Sequence, residues 1–485
     1  MQDIIIVGAG VTGCALARVL SRYEASVKVL DEGADLAEGA SKANSGIVHA
    51  GYDAVPGTMK ARMNVEGARM YPELCRELGV PYRMNGAMVV AFSETDRKTL
   101  EELLEQGIRN GVHGLRILEK DEMFALEKQL NPEAVCALYV PESGITSPYE
   151  MTFALADHAA VNGVVFQMNT HVRSVKYQEG LWHLETSQGP ETCRILVNCS
   201  GGDSGRLHGE MGGTREVEII HRRGQYYLLD RPEVLPFDHT MFQCPTVMGK
   251  GVLVAPTVHG NVLLGPTAED IDDRLNTETT QEGLDRILKA CRLTWPGVQV
   301  RTAVTNFSGI RAHEKQGDFI IGPVDGAEHA WEAVGMESPG LSAAPAVGEY
   351  LGAMLAEAEG LTKKAEWKKP IPLPRPFHEM STEERREAVE KDPLNGRLIC
   401  RCEVVTEAEI RAAIRRPVGA TTVDGVKRRT RAGMGRCQGG FCSPRVVEIL
   451  SEELGVPMTD IRKDSPDSWL LCGDIREALK GEARA

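Results

Sequence analysis

No stretch of this chain strings together the roughly 18 apolar residues that a membrane-crossing helix needs, so no transmembrane span is expected. An excess of positive charge is missing too. Lysine and arginine total 55 against 69 aspartate and glutamate, a formal net charge of −14 with a pI near 5.5. That balance argues against general nucleic-acid binding, because polyanions are held by clustered cations. A secretory leader is not apparent: the apolar run from Ile4 to Val7 is short and passes directly into Gly8. There is no internal repeat and no low-complexity tract. Twelve cysteines without an export signal point to a reducing cytoplasm, where clustered cysteines are more often metal ligands than disulfides.

What is present is an ordinary globular composition, 42% hydrophobic over 485 residues, enough for two or three domains. Residues 3–7 read as a buried strand stopped by glycine, 11–22 as a helix and 27–30 as the next strand, a β-α-β unit. Helices are expected over 97–110, with Leu100, Leu103, Leu104 and Ile108 on one face, and over 151–161 and 343–356. Residues 196–199 read as a strand running into Ser200-Gly201-Gly202. From about 215 to 310 the pattern is strand-rich, with strands at 225–229, 251–255 and 261–265, and another follows at 319–321. Near 362 the composition shifts. Four lysines (Lys363, Lys364, Lys368, Lys369) precede Pro370, Pro372, Pro374 and Pro376, which reads as a semi-rigid linker before a charged helix over 382–390.

Gly8-Ala9-Gly10-Val11-Thr12-Gly13 joins the first strand to the first helix. The first glycine permits a tight turn, the second lets a pyrophosphate approach the backbone, and the third lets helix pack on strand. The helix N-terminus then offers free N–H groups and a positive dipole end to the phosphates. Asp31 ends the second strand, eighteen residues past Gly13, placed for a ribose hydroxyl, and Glu32 is the neighbouring candidate. The motif alone does not separate NAD from FAD.

The other concentration of chemistry is at the far end. Cys400-Arg401-Cys402 is followed, thirty-four residues on, by Cys437-Gln438-Gly439-Gly440-Phe441-Cys442. Four thiolates suit an iron–sulfur cluster. Gly433, Gly435, Gly439 and Gly440 would let backbone N–H groups turn toward the sulfurs, and Arg401, Lys427, Arg428, Arg429, Arg431 and Arg436 are expected to offset the cluster's negative charge. A four-cysteine zinc site is the rival, although zinc sites more often use two-residue gaps and zinc carries no electrons. The remaining cysteines are scattered and read as small core residues.

Further segments carry a family likeness. Ser41-Lys42-Ala43-Asn44-Ser45-Gly46-Ile47-Val48-His49-Ala50-Gly51 resembles the flavin-contacting segment of the D-amino-acid-oxidase-like flavoproteins. The likeness continues through 197–201 and Ser308-Gly309-Ile310-Arg311 to Glu337-Ser338-Pro339-Gly340-Leu341-Ser342. It is closer to the L-2-hydroxyglutarate oxidases and the large subunit of anaerobic glycerol-3-phosphate dehydrogenases. The cysteine segment is similar to the bacterioferritin-associated-ferredoxin-like 2Fe–2S domain. The resemblance implies FAD rather than NAD, contacted by Gly8, Gly10, Val11, Thr12, Gly13, Asp31, Glu32, Ser41, Asn44, Ser45, Gly46, Val172, Ser200, Gly201, Gly340, Leu341 and Ser342. It implies a 2Fe–2S cluster on Cys400, Cys402, Cys437 and Cys442. The expected fold is α/β (α+β): a Rossmann-like FAD-binding domain over 1–365 carrying an inserted antiparallel-sheet substrate domain (about 75–140 and 215–310), a linker over 366–395, a small helical Fe–S domain over 396–455 and a tail over 456–485. A helix starting near Gly340 would stabilise negative charge on the reduced flavin.

Oxidising an alcohol by hydride transfer needs a base for the hydroxyl proton and a cation for an anionic substrate. The resemblance puts His49 and Arg311 in these roles, with Tyr52 and Gln225 beside the substrate; His313, Lys60, Arg222 and Arg223 are weaker candidates. Gln225 stands where many glycerol-3-phosphate dehydrogenases carry histidine, and glutamine orients a hydroxyl without taking its proton. The reading is therefore a soluble FAD-dependent dehydrogenase. It would oxidise glycerol 3-phosphate to dihydroxyacetone phosphate and pass electrons through FAD and the cluster to an acceptor protein or subunit, with membrane association only peripheral. The alternatives are a 2-hydroxy-acid (L-2-hydroxyglutarate) dehydrogenase, or an electron-relay or redox-sensing subunit with no substrate of its own.

Overall fold

The computed structural model describes residues 1–245, 251–473 and 475. The strand Gln2–Val7 sits inside an eight-stranded sheet, paired in parallel with Val27–Leu30 on one side and Gly189–Asn198 on the other. Ile4 and Ile6 face a helical layer, whereas Ile5 and Val7 face a second cluster around Trp182 and Leu184. Burial on both faces is why this strand is continuously apolar rather than alternating. Helix Val11–Leu20 is buried along its whole length, between helices Pro148–Val161 and Gly340–Ala358. A Cβ on Gly348 would lie 2.8 Å from the Ala15 backbone and one on Gly352 2.6 Å from Val19, so these glycines set the spacing of the two helices.

A nine-stranded, mostly antiparallel sheet draws strands from 87–140 and from 219–314, including Ile219–Leu229 paired along its length with Ala303–Glu314. Its two faces carry separate apolar clusters. Two long helices were not expected. Met59–Leu78 is capped by Thr58 and ended by Gly79 in the left-handed conformation; Gln281–Thr294, capped by Thr280, interrupts the strand-rich stretch. Helix Glu94–Arg109 buries Leu100, Leu103 and Gly107, but Ile108 is 60% exposed, so the apolar face is narrower than its leucines suggest.

The proline-rich connection is strapped down. Leu373 N–H donates to Leu78 O, Trp367 Nε1 donates to Ser21 Oγ, and Arg18 and Arg22 lie over the Trp367 ring. The cysteine module is a hairpin, Leu398–Cys400 with Val405–Thr406, and three helices, Glu407–Ile414, Val423–Thr430 and Ser443–Leu454. Past residue 455, Ile461 is 1% exposed and packs in the module's core. Residues 474 and 476–485 of the expected tail lie outside the described residues. Among the described residues no helix is long and apolar enough to cross a membrane.

Candidate active site

The two sheets and the cysteine module enclose a cavity of 1990 Å³, against about 1,000 Å³ at the upper end of ordinary ligand pockets. At one end is the glycine turn. A Cβ on Gly8 would meet Cys199 O at 2.2 Å and one on Gly13 would meet Gly8 O at 2.0 Å, so these two glycines make the turn and the helix packing possible. A Cβ on Gly10 instead meets nothing nearer than Ser41 Oγ at 3.1 Å, and Gly10 borders the cavity. Gly10, the N-cap of the helix that starts at Val11, brings no side chain of its own, and Val11 N–H donates to Ser41 Oγ at 2.9 Å. This is a cradle for a pyrophosphate, open where the phosphates would lie. Asp31 braces it, accepting Ala9 N–H at 2.6 Å and Gly33 N–H at 2.8 Å, while burial pushes its pKa up. Glu32 is exposed and tied to Arg274 and to His171 Nδ1. Val172, Ser200 and Gly201 line the same end.

Ser41 to Gly46 continue the wall. Here a Cβ at Gly46 (φ +66°) would lie 2.5 Å from Thr146 O, and one at Gly309 would lie 2.0 Å from Ala43 O. Helix Gly340–Ala358 points its uncapped N-terminus into the cavity through Gly340 and Leu341. Ser342 stands behind them: its Oγ accepts His49 N–H at 2.8 Å and donates to Ile47 O, fixing the His49 segment to the helix start. His49 lines the cavity with its ring 5.6 Å from that of Phe242.

Arg311 lines the far wall. Gly224 lies opposite, where a Cβ would be 2.4 Å from Arg311 Nη2. Arg311 donates to Thr267 O at 3.3 Å, and among the described residues no carboxylate pairs with it. Side chains alternate along Ile219–Leu229: Arg222, Tyr226 and Leu228 line the cavity, and Arg222 is paired with Asp270. Gln225 and Arg223 point the other way. Gln225 is fully buried and holds Thr280 at the start of helix Gln281–Thr294, and Arg223 binds Glu269 and Asn276. Tyr52 is turned away as well, into the cluster of Leu100, Leu103 and Leu138, with burial pushing its phenol well up. Neither Tyr52 nor Gln225 lines the cavity.

His313 and Lys60, the weaker candidates of the sequence, meet on the same wall at a carboxylate that was given no role there. Glu337 Oε1 lies 2.8 Å from His313 Nδ1 and 2.8 Å from Lys60 Nζ. Burial would raise the Glu337 pKa, but His313 and Lys60 more than offset it and hold it at about 2. In the sequence Glu337 stands out only as the first residue of the 337–342 segment.

The four cysteines stand as two pairs. Cys402 Sγ is 3.7 Å from Cys437 Sγ, and Cys400 contacts Cys442. The contact with Cys442, helped by the N–H groups of Gly433 and Glu403, holds Cys400 down to about 6, and Cys442 is pushed up in return. The N–H groups of Phe441 and Gly439 reach Cys437. Among the described residues no three acidic, histidine or cysteine side chains converge on one point, as a tetrahedral zinc would need. Two thiol pairs fit two irons, each with two protein ligands.

The basic residues expected around the cluster mostly do something else. Arg429 binds both oxygens of Asp35 and lies 4.0 Å over the Phe153 ring. Arg428 reaches Glu38 and Asp464, Arg431 binds Glu403, and Arg436 binds Asp230. Through Glu38, Asp35 and Asp230, the cations Arg428, Arg429 and Arg436 dock the module on the flavin domain, while Arg431 braces it from within. Lys427, Arg428, Arg431, Met434 and Gln438 thereby line the cavity, and Gln438 is the chain neighbour of Cys437.

A nucleotide cradle in a parallel sheet, opening onto an antiparallel sheet where Arg311 has no carboxylate partner among the described residues, is the arrangement of a flavoprotein oxidoreductase. The chain belongs to the DAO family, FAD dependent oxidoreductase, which matches residues 3–354, and its residues 398–452 match the BFD-like 2Fe-2S binding domain. It is 45% identical over 484 residues to the glycerol 3-phosphate dehydrogenase of Caloramator mitchellensis, covering 99% of this chain and 100% of that one. The glycerol 3-phosphate oxidase of Mycoplasma pneumoniae is 32% identical over 382 residues, with 77% and 99% covered. The structure of dithionite-reduced L-alpha-glycerophosphate oxidase from that organism, with FAD bound, matches with a TM-score of 0.73 over 77% of this chain and 99% of the other, at 32% identity. The mitochondrial L-2-hydroxyglutarate dehydrogenase of Arabidopsis thaliana is 27% identical over 399 residues, covering 72% of this chain and 82% of the relative. The protein is an FAD-dependent oxidoreductase with a C-terminal 2Fe–2S domain.

Proposed function

We propose that the protein oxidises glycerol 3-phosphate to dihydroxyacetone phosphate and sends the electrons out through its cysteine module. The observation that carries this is the common wall. Arg311, His49 and His313 face the cavity that Gly340 and Leu341 enter, and Met434 and Gln438 of the cysteine loop face it too. Bound FAD supplies the hydride acceptor. The residues do the rest. Arg311 holds the phosphate, His49 takes the hydroxyl proton, and Lys60 and Glu337 orient His313 beside them. The names of the relatives favour glycerol 3-phosphate over 2-hydroxy acids, and two of the three most similar relatives described above carry it in their names.

Anaerobic mixing with a panel of phosphorylated polyols and 2-hydroxy acids is the test, with bleaching of the flavin as the readout. Glycerol 3-phosphate is expected to bleach it fastest; bleaching by L-2-hydroxyglutarate alone would move the protein to the second substrate class, and no bleaching by any alcohol would leave a relay subunit. Arg311→Ala is expected to weaken substrate binding by about 2–4 kcal/mol, the cost of removing the partner of a desolvated anion. His49→Ala is expected to slow flavin reduction by roughly 10²–10⁴-fold while leaving substrate affinity near its original value. Wild-type reduction by the His49 variant would pass the base role to His313, whose Nδ1 is held by Glu337 so that Nε2 is the edge left for a substrate.

A further inference from the structure

Resting on that reading, we infer that electrons leave through one face of the cysteine module and that this face fits a small acidic one-electron carrier protein. Cys400 and Cys442 are buried, whereas Cys402 is exposed and Cys437 half-exposed, so the thiol set has a solvent side. Beside it Phe441 is 88% exposed, four residues past Cys437, to which it donates its N–H. Leu398, at the start of the hairpin that carries Cys400, is 48% exposed. Large apolar groups left in water within four residues of the thiols in the chain are the kind of surface that a partner covers.

The charge around the patch identifies the partner. Segments 397–402 and 436–445 hold Arg397, Arg401, Arg436 and Arg445 and no acidic residue, in a chain of net charge −14. Arg436 is held by Asp230, and Arg445 by Glu448 and Glu407, which offsets part of their charge. Arg397 lies 3.6 Å from Glu407 with its side chain 63% exposed. Arg401 is exposed and makes no ion pair among the described residues. Exposed apolar side chains with Arg401 and the largely exposed Arg397 near them in the chain, on an otherwise acidic molecule, steer an acidic protein to this face and repel it elsewhere. Oxidising one secondary alcohol to a ketone releases two electrons and two protons. A 2Fe–2S cluster held by the four cysteines would supply one-electron transfer, so two oxidised carriers would each be reduced once and the protons would go to solvent.

The test uses the full-length holoprotein reduced with dithionite, the excess removed, so that it does not depend on the substrate assignment. It is mixed in stopped flow with the acidic haem domain of cytochrome b5 and, separately, with a basic cytochrome c. Transfer to the acidic haem protein is expected to be the faster at low salt and to slow as salt rises. Arg401→Glu and Arg397→Glu are expected to slow it about 10-fold at low salt, and Phe441→Ser about 10-fold at every salt concentration. The EPR signal of the reduced cluster checks that each variant keeps its cluster, and Arg397→Glu remains decisive if the Arg401 variant loses it. Faster transfer to the basic cytochrome at low salt, rates unmoved by the Arg397 and Phe441 changes, or co-sedimentation of the protein with phosphatidylglycerol vesicles that Phe441→Ser abolishes would each overturn the inference. Failure of glycerol 3-phosphate to bleach the flavin would instead strike the substrate reading and leave this one standing.

Discussion

Gly10→Val is expected to yield a folded protein that carries no FAD. The three glycines of the turn do different work, and the structure separates them. A side chain at Gly8 or Gly13 would strike backbone atoms at 2.2 and 2.0 Å, so those variants would damage the fold and confuse folding with binding. At Gly10 the first atom met is Ser41 Oγ, 3.1 Å away, and the space beyond is cavity. Valine there would leave the strand and helix in place and fill the approach of the pyrophosphate to the helix N-terminus. Losing about two charge-assisted hydrogen bonds, each worth about 1.5–3 kcal/mol, weakens FAD by roughly 10²–10⁴-fold. The purified variant should be colourless. Its far-ultraviolet circular dichroism should match the parent, and its melting point should equal that of the parent stripped of FAD, since only the binding contribution is gone. Full flavin absorbance in the variant would show that the phosphates lie elsewhere.

The parts of this molecule that the sequence states plainly are those where the backbone leaves one choice. Gly8 and Gly13 are forced by approaches near 2 Å, Ile4 to Val7 by burial on both faces, and the cysteine pairs by the chemistry of thiolates. Where an assignment needed a direction, the sequence was silent. Gln225 and Arg222 are three residues apart in one strand, yet one is in the core and the other in the cavity, and the pairing of Arg222 with Arg311 across the sheet decides which. Tyr52 follows His49 by three residues, but Gly51 at φ +100° turns the chain between them and sends the tyrosine into the apolar cluster. The basic run before Cys437 read as counter-charge for a cluster because its partners, Asp35 and Glu38, are nearly four hundred residues away in the chain. Helix Met59–Leu78 was hidden by two poor helix formers, Gly67 and Pro72. Gly67 is explained only by the fold: a Cβ there would lie 2.1 Å from Ser342 O, at the helix start that holds the His49 segment.

Cys437→Ser is expected to cut electron flow after the flavin and nowhere earlier. Anaerobically purified protein should contain two irons and two sulfides per chain, as its BFD-like 2Fe-2S domain implies. Serine nearly matches cysteine in size, and the loop's shape comes from Gln438, Gly439 and Gly433 at positive φ and from the hairpin, so the module should stay docked through Arg428 and Arg429. What the hydroxyl cannot supply is a soft anionic ligand: its proton is held at neutral pH, whereas the N–H groups of Phe441 and Gly439 help hold the Cys437 thiol below its ordinary pKa. The visible absorption and reduced-state EPR signal of the cluster should disappear. FAD should remain, because the cradle at Gly8 to Gly13 lies in the other domain. Bleaching of the flavin by substrate should proceed at the parental rate, because Arg311, His49 and His313 are untouched. Reduction of a one-electron acceptor protein by substrate should fall to background, since the proposed route past Met434 and Gln438 would then end at a loop without its cluster. Unchanged transfer in the variant would place the exit at the flavin itself. One zinc and no iron in the anaerobically purified parent would make the module a docking element held by its arginines.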